Sequence, residues 1–306
     1  MALIDSPNLR QLLTHLFPGI CIQENLRPSG QRLVYFCEFR SDPAAPSRWA
    51  DWGDVVLKIS EDIHPSVIAR LEKERDILNE LKSRFFPTLL FYQVFTDDPI
   101  RDEKLPYRLF VTIEERIRGE PLSSCQPVFS DQPRAVNLLR ELVQGLRLLW
   151  ENPRRIVHRD LKPDNIIIRT DGTPVIIDLG IIREQGSAGV TGTFWNIGPC
   201  TPGYASPEQL RNEKRTIDFR ADVFALGVIA YELLSGSHPF KRFDTDPVDV
   251  VIHRTLNEIL PPLDSLGCAS TPLSALVHAM TAKEAYRRPR TTQDLLEKLS
   301  AIEGAL

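Results

Sequence analysis

The segment IVHRDLKPDNIII, from Ile156 to Ile168, carries more structural information than any other part of the chain. A cluster of charged and amide side chains lies between two short apolar runs. Five residue types stand at the spacing H-R-D-L-x-x-x-N: His158, Arg159, Asp160, Leu161 and Asn165. The segment could be a charged surface turn with no chemical role. Such a turn does not explain why five particular residue types occur at this one spacing.

This segment resembles the catalytic loop of protein kinases. The resemblance implies that Asp160 orients an incoming hydroxyl group and accepts its proton, and that Asn165 holds a magnesium ion. Lys162 is expected to steady the γ-phosphate of ATP. The Lys-Pro-Asp after Leu161 is similar to serine/threonine kinases rather than tyrosine kinases.

Downstream, Asp178-Leu179-Gly180 resembles the D-F-G element of the family, with Leu179 in place of phenylalanine. The resemblance makes Asp178 the residue that bridges magnesium to the phosphates. The segment CTPGYASPE, from Cys200 to Glu208, is similar to the end of the activation segment in bacterial eukaryotic-like serine/threonine kinases. Thr201 matches a threonine that hydrogen-bonds the catalytic aspartate and lysine in that family.

Three further matches are architectural. The resemblance pairs Glu208 with Arg288, which precedes Pro289, and makes Asp222 the buried brace of the catalytic-loop backbone. Loss of any of them should loosen the site without removing a reacting group.

The activation segment is also a candidate for regulation. In the family, an arginine at the position of Arg159 often helps to bind a phosphate on this segment, and Arg183 is placed to join it. Thr191 and Thr193 are the expected acceptors of that phosphate. An unmodified polar loop is the alternative.

Upstream, Val55-Val56-Leu57-Lys58 corresponds to the V-A-I-K element, so Lys58 is expected to hold the α- and β-phosphates. Its partner should be a glutamate on the next helix. Glu74 is favoured over Glu72 because it precedes the apolar pair Ile77-Leu78 by three and four residues. By family position, the nucleotide-binding residues also include Leu26, Gly30, Val34, Val56 and Ile167.

The phosphate-covering loop departs most from the family. The three motif glycines are replaced by Arg27, Ser29 and Arg32, and Gly30 remains where an additional glycine is common. Glycine matters there because the backbone must approach the phosphates closely. Either arginine charge substitutes for backbone amides, or nucleotide binding is weakened and the chain is a pseudokinase that acts as a scaffold. The four intact ATP-site residues favour activity: Lys58, Asp160, Asn165 and Asp178.

The gatekeeper position is ambiguous in the sequence. Family spacing to Gly119 places Glu114 there and Glu115 first in the hinge. The strand pattern instead makes Ile113 the gatekeeper, and both assignments stay open.

The predicted fold class is α+β, a bilobal protein-kinase-like fold. A small β-rich lobe with one main helix (20–118) follows an N-terminal extension (1–19), and a larger, mainly helical lobe covers 119–306. Strands are predicted at Arg32–Phe39 and Val55–Ile59. A helix is predicted at Pro133–Trp150, and Asp222–Ser235 should be a buried central helix because it is apolar nearly all round. Trp49 and Trp52 are expected to cover the small lobe, with an exposed partner site as the alternative.

Composition narrows the class of protein. The 306 residues carry 37 Lys and Arg against 41 Asp and Glu, a net charge of −4, which gives no reason to expect nucleic-acid binding. The five cysteines form no C-x-x-C pair and are odd in number, which favours a reducing, cytoplasmic environment. The longest apolar stretch is too short to span a membrane.

The expected function is transfer of the γ-phosphoryl group of ATP to protein Ser and Thr hydroxyls, including the chain's own. Mg²⁺ is the expected metal, and Mn²⁺ is an alternative. The Lys-Pro-Asp insert and the Thr201–Glu208 segment argue against a kinase of small molecules. Protein substrates are expected but not identified, and a regulatory partner or a homodimer is left open.

Overall fold

The computed structural model describes residues 5–29, 32–40, 49–61, 65–179, 183–184, 200–213 and 215–306. By contact density the chain divides into two compact units, Met1–Ile117 and Arg118–Leu306. Residues singled out by sequence that lie outside the described ranges are Gly30, Gly180, Thr191 and Thr193.

The first unit is built on a five-stranded antiparallel sheet with strand order β1-β2-β3-β5-β4. Its elements are α1 (Pro7–Leu16), β1 (Ile20–Ser29), β2 (Arg32–Phe39), β3 (Asp54–Glu61), α2 (Pro65–Glu80), β4 (Leu89–Asp98) and β5 (Glu103–Glu115). The strands predicted in β2 and β3 are confirmed. Neither α1 nor β1 was predicted.

One face of this sheet carries the apolar core of the unit. Residues two apart along a strand share a face, and here that face is closed by the apolar side of α1. The buried cluster includes Leu9, Leu13, Phe17, Leu33, Tyr35, Val55, Leu57, Ile59, Val111 and Ile113. The helix begins at Pro7, where the Ser6 side chain accepts a hydrogen bond from the Leu9 amide.

The tryptophan pair belongs to this same core. Trp49 is buried, and its ring centroid lies 6.0 Å from that of Phe17 and 5.3 Å from that of Phe91. The ring of Trp52 lies 4.8 Å from that of Trp49. The prediction that these rings cover the small lobe is confirmed, and the exposed partner site is wrong.

The sequence TDDPIRDEKLPY at 96–107 predicts a loop, but in the structure this segment is largely a hairpin. Strands β4 and β5 run to Asp98 and from Glu103, with Asp102 at φ 55 in the turn. The strand is hard to predict from sequence because it contains Pro106, and proline is rare in sheet interiors. It is tolerated because the ladder shifts register between Phe95 and Asp97, opposite this part of β5.

The second unit is mainly helical. Its helices are α3 (Leu122–Cys125), α4 (Gln132–Trp150), α5 (Pro207–Leu210), α6 (Arg220–Ser235), α7 (Val248–Asn257), α8 (Thr271–Met280) and α9 (Thr292–Glu303). The predicted buried central helix is confirmed, since nearly every residue of α6 is buried. Gly227 is required in it because a Cβ there would lie 2.7 Å from the Cβ of Met280.

Two small sheets of this unit frame the catalytic-loop segment. Strands β6 (Gly119–Pro121), β8 (Ile166–Arg169) and β9 (Pro174–Ile176) form one, and β7 (Ile156–Val157) pairs with β10 (Arg183–Glu184) in the other. The β-rich and the helical unit together confirm the α+β class. Within the described residues, none of the helices combines the length and apolar character needed to cross a membrane.

Candidate functional site

Three polar side chains of the second unit converge on Asp160, which follows β7. The Thr201 hydroxyl donates to Asp160 Oδ1 at 2.6 Å, and Lys162 Nζ lies 3.4 Å from Oδ2. The Lys162 ammonium also donates to Thr201 Oγ1 at 3.1 Å. Asn165 Nδ2 donates to the Asp160 carbonyl oxygen at 2.9 Å and approaches Oδ2 at 3.3 Å. The structure therefore brings together four of the residues that the sequence nominated.

Asp222, at the start of α6, holds the backbone of the same loop. Its Oδ2 accepts hydrogen bonds from the amide of His158 and from Trp150 Nε1, both at 2.8 Å, and its Oδ1 accepts from the amide of Arg159 at 2.8 Å. These bonds stabilise Arg159 at φ 72, a conformation that non-glycine residues rarely adopt. Burial raises the pKa of Asp222, and these donors oppose the shift.

Sequence reasoning missed two of the groups that support the loop. Trp150, the last residue of α4, is the third donor to Asp222. Gln209 donates from Nε2 to the carbonyl oxygen of Arg159 at 2.8 Å, and its side chain also belongs to a capping box with Ser206. The sequence Ser206-Pro207-Glu208-Gln209 could have identified Gln209, since S-x-x-Q is the pattern of a capping box.

A backbone hydrogen bond brings the residue before Asp178 next to Asn165. The Ile177 amide donates to the Asn165 carbonyl oxygen at 2.9 Å, and Asp178 has φ 63. Leu179, which stands in place of the family's phenylalanine, is 1% exposed, so its apolar side chain is buried. Ile167, on β8, is half-buried and pairs with Val175.

Glu208 and Arg288 form a buried ion pair. The two hydrogen bonds between guanidinium and carboxylate measure 2.7 and 2.9 Å, and the Arg288 side chain is fully buried. The remaining guanidinium donors are directed to the backbone carbonyls of Ala282, Arg220 and Lys283. This pair has the satisfied geometry that a buried charge requires.

In the first unit, Lys58 lies in a separate cluster of charged side chains. Lys58 lies on β3, with its Nζ 2.8 Å from Glu114 Oε2 and 3.9 Å from Glu74 Oε1. Glu74 lies on α2 and is buried, whereas Glu72 is exposed. The carboxylate of Glu74 also accepts two hydrogen bonds from the guanidinium of Arg32.

The two gatekeeper assignments can now be compared. Glu114 points to the Lys58 side of the sheet, and Ile113 is buried in the core on the opposite face. This geometry favours the assignment by family spacing. On the Lys58 side, Val34 pairs with Lys58 and Val56 pairs with Glu114.

For several residues that the sequence predicts to be functional, the structure describes only the backbone or does not describe the residue at all. Leu26 pairs with Val34, and Arg183 pairs with Val157, but their side chains lie outside the described part of the chain. The same is true of Gly30, Thr191 and Thr193 as whole residues. Their assigned roles stay predictions.

Comparisons with known proteins agree with this geometry. The family profile described as "Protein kinase domain" matches residues 56–299. Serine/threonine-protein kinase PknB of Mycobacterium leprae is 34% identical over 205 residues, 65% of this chain and 31% of the relative. PknL of Mycobacterium tuberculosis is 37% identical over 144 residues, 47% and 34% of the two chains. Rhodopsin kinase GRK1 of Rattus norvegicus is 34% identical over 174 residues, 55% and 28%. The chain thus spans about a third or less of each relative's length.

Proposed function

This chain belongs to the protein kinase family, and we propose that it transfers the γ-phosphoryl group of ATP to serine and threonine hydroxyls of proteins. Membership confirms the resemblance that the catalytic loop predicted. The relatives PknB and PknL are both named serine/threonine-protein kinases, which supports the acceptor class. They also favour a protein kinase over a kinase of small molecules.

The arrangement around Asp160 carries the proposal. A phosphoryl acceptor needs a carboxylate to orient its hydroxyl and take its proton. Asp160 is half-buried and held from several sides by the contacts of Thr201, Lys162 and Asn165. Lys162 places a positive charge beside this carboxylate, where negative charge develops on the transferred group.

The residues present fit a divalent metal and a nucleotide. Asn165 uses its amide nitrogen on Asp160, which leaves its amide oxygen as the atom with ligand character. Asp178 follows Ile177, whose amide binds the Asn165 carbonyl oxygen, and would supply a carboxylate ligand. Within the described residues, no group of three His, Cys, Asp or Glu could hold a metal. Two protein ligands suit Mg²⁺, which commonly completes its shell with substrate phosphates and water; Mn²⁺ accepts the same ligands. When bound, the metal neutralises charge on the phosphates.

The first unit supplies the remaining nucleotide contacts in this proposal. Lys58 would hold the α- and β-phosphates, with Glu74 as a partner. Leu26, Val34 and Val56 would contact the base, and Ile167 of the second unit is assigned to the same role. The five cysteines are all free, which supports the proposed cytoplasmic setting.

Regulation by phosphorylation is part of the proposal. Arg159 and Arg183 would bind a phosphate on Thr191 or Thr193, added by the chain itself or by a regulatory partner. Peptide mass analysis of active protein tests this point. Active protein without phosphate between residues 185 and 199 would contradict it.

Autophosphorylation with labelled ATP and Mg²⁺ tests the proposed function. We expect acid-stable phosphate on Ser or Thr in the wild type, and a rate lower by about 10³-fold in Asp160→Asn, because a general base contributes about 10²–10⁴-fold. ATP binding, followed by thermal shift, should be retained in that variant.

The pseudokinase is the second candidate, favoured by Arg27, Ser29 and Arg32 at the glycine positions. It predicts neither phosphate incorporation nor ATP binding in the wild type. A wild type that binds ATP but transfers no phosphate to itself or to a mixture of proteins would also contradict the kinase.

A further inference from the structure

A quartet of charged side chains lies around Lys58 in the first unit: Arg32, Lys58, Glu74 and Glu114. In the strand register Arg32 is opposite Ser60, Lys58 is opposite Thr112, and Val56 is opposite Glu114. Because side chains two residues apart share a face, Arg32, Lys58 and Glu114 lie on one face of the sheet. Glu74 reaches that face from α2.

Within the quartet, Lys58 makes its shorter contact with Glu114. The 2.8 Å between Lys58 Nζ and Glu114 Oε2 is a hydrogen-bond distance, whereas the 3.9 Å to Glu74 Oε1 is not. The Lys58 side chain is 13% exposed and that of Glu114 is 4% exposed. A direct, well-buried contact of this kind fixes the direction of the ammonium group.

Glu74 in turn is held mainly by Arg32. The guanidinium donates from Nη1 to Oε1 at 3.2 Å and from Nη2 to Oε2. Such a two-point contact fixes a carboxylate more firmly than a single ammonium does. Arg32 stands where the family motif has its third glycine, so this residue replaces backbone flexibility with a charged side chain.

We propose that Arg32 and Glu114 are positioning residues of the nucleotide site, an inference that rests on the kinase function proposed above. Glu114 orients Lys58, and Arg32 holds Glu74. The family pattern implies a single ion pair, Lys58–Glu74. Here Lys58 pairs more closely with Glu114, and Glu74 pairs with Arg32.

Charge balance explains why the two departures occur together. Arg32 adds one positive charge and Glu114 adds one negative charge, so the quartet is neutral, as a simple Lys58–Glu74 pair would be. Either addition alone would leave a buried charge without a counterion, which is strongly unfavourable. Lys58 has three N–H donors, so it can keep Glu114 and still direct a donor to a phosphate.

A double-mutant cycle on the full chain tests this proposal. Arg32→Ala, Glu114→Gln and the double variant are compared in kcat and KM for ATP during phosphorylation of the chain itself. Each single variant should lower kcat/KM by about 30-fold, the effect of truncating one partner of a buried charge pair. The double variant should return to within about 3-fold of the wild type, because it restores a simple Lys58–Glu74 pair.

The recovery separates positioning from a merely structural role. If the two losses multiply in the double variant, or if Glu114→Gln leaves kcat/KM unchanged, the proposal is wrong. A matched control is the ion pair Arg254–Asp246 of the second unit, whose side chains are 16% and 10% exposed. Arg254→Ala and Asp246→Asn should leave the KM for ATP unchanged.

Failure of the proposed function would be visible separately. If the wild type transfers no phosphate, the same cycle is measured in the Kd for Mg-ATP, where the same losses and the same recovery are expected. If the fold-losses in Kd of the two single variants multiply in the double variant, the positioning proposal alone is wrong. A wild type that does not bind Mg-ATP overturns both.

Discussion

In the unit Arg118–Leu306 the catalytic-loop residues are those of the family pattern, whereas in the unit Met1–Ile117 the three motif glycines are replaced and Lys58 has a second carboxylate, Glu114, beside it. In the proposed function, the first group consists of functional groups with individual chemical tasks: a proton acceptor, an amide oxygen and a carboxylate that would bind the metal. The second group, the glycine positions and the neighbours of Lys58, is expected to supply positive charge and a backbone that approaches the phosphates. The comparison indicates that charge can be redistributed among neighbours, while a reacting atom must stay where it is.

The largest effect should come from the ion pair that anchors the second unit. Arg288→Met leaves Glu208 buried without a counterion and also removes the donors to three backbone carbonyls. We expect the free energy of unfolding to fall by about 3–5 kcal/mol, measured by urea denaturation.

The control for this prediction is an exposed pair in the same unit. Arg147→Met breaks the contact with Glu151, whose side chains are 45% and 48% exposed, and should cost less than about 1 kcal/mol. Equal losses in the two variants would show that burial of the Arg288–Glu208 pair adds nothing to the stability of this unit.

A smaller effect is expected in the first unit. Glu74→Gln should lower kcat/KM for ATP by about 10-fold, since Lys58 keeps Glu114 as its closer partner and only part of its fixation is lost. Glu72→Gln, on the exposed side of α2, should change nothing. A fall as large as that of Asp160→Asn would contradict the idea that this unit tolerates redistribution of charge.

The smallest effect is a dependence of stability on pH in the second unit. Burial lowers the pKa of His238 to about 4, and its Nδ1 accepts hydrogen bonds from the amides of Phe240 and Lys241. Between that pKa and the ordinary value near 6.5, the unfolded chain binds more protons than the folded chain. Stability is therefore lost as the pH falls through this range, by about 1 kcal/mol between pH 7 and 5.5.

Thermal or urea unfolding of wild type and His238→Asn at both pH values measures this contribution. The variant should lose less stability between pH 7 and 5.5 than the wild type, because its side chain does not titrate there. An equal loss in both proteins would assign the pH dependence to other groups.

Sequence reasoning reached the local parts of this molecule more easily than the long-range parts. The residues around Asp160 could be found because they lie within one short motif, and Thr201 because its segment has its own signature. The Arg32–Glu74 contact joins residues 42 positions apart, and no local pattern reports it. The gatekeeper stayed open because a one-residue change in strand register turns every side chain to the other face.

The elements missed by sequence have identifiable physical reasons. Strand β1 is rich in polar residues and contains Pro28, so neither alternation nor β-propensity reveals it. Helix α1 has only 10 residues, too few for a helix to be stable in isolation. Both elements exist because they pack on the sheet, and that information is not local.

The packing of α1 on the sheet also bears on how this protein can be shortened. The family match begins at residue 56, after α1, β1 and β2. A protein trimmed to that point would expose the outer faces of Leu57 and Ile59 to water and leave β3 as an unprotected sheet edge. Such edges and apolar surfaces promote aggregation. The segment before the family match is therefore part of the same folded unit, because it covers these core residues and pairs with the edge of β3.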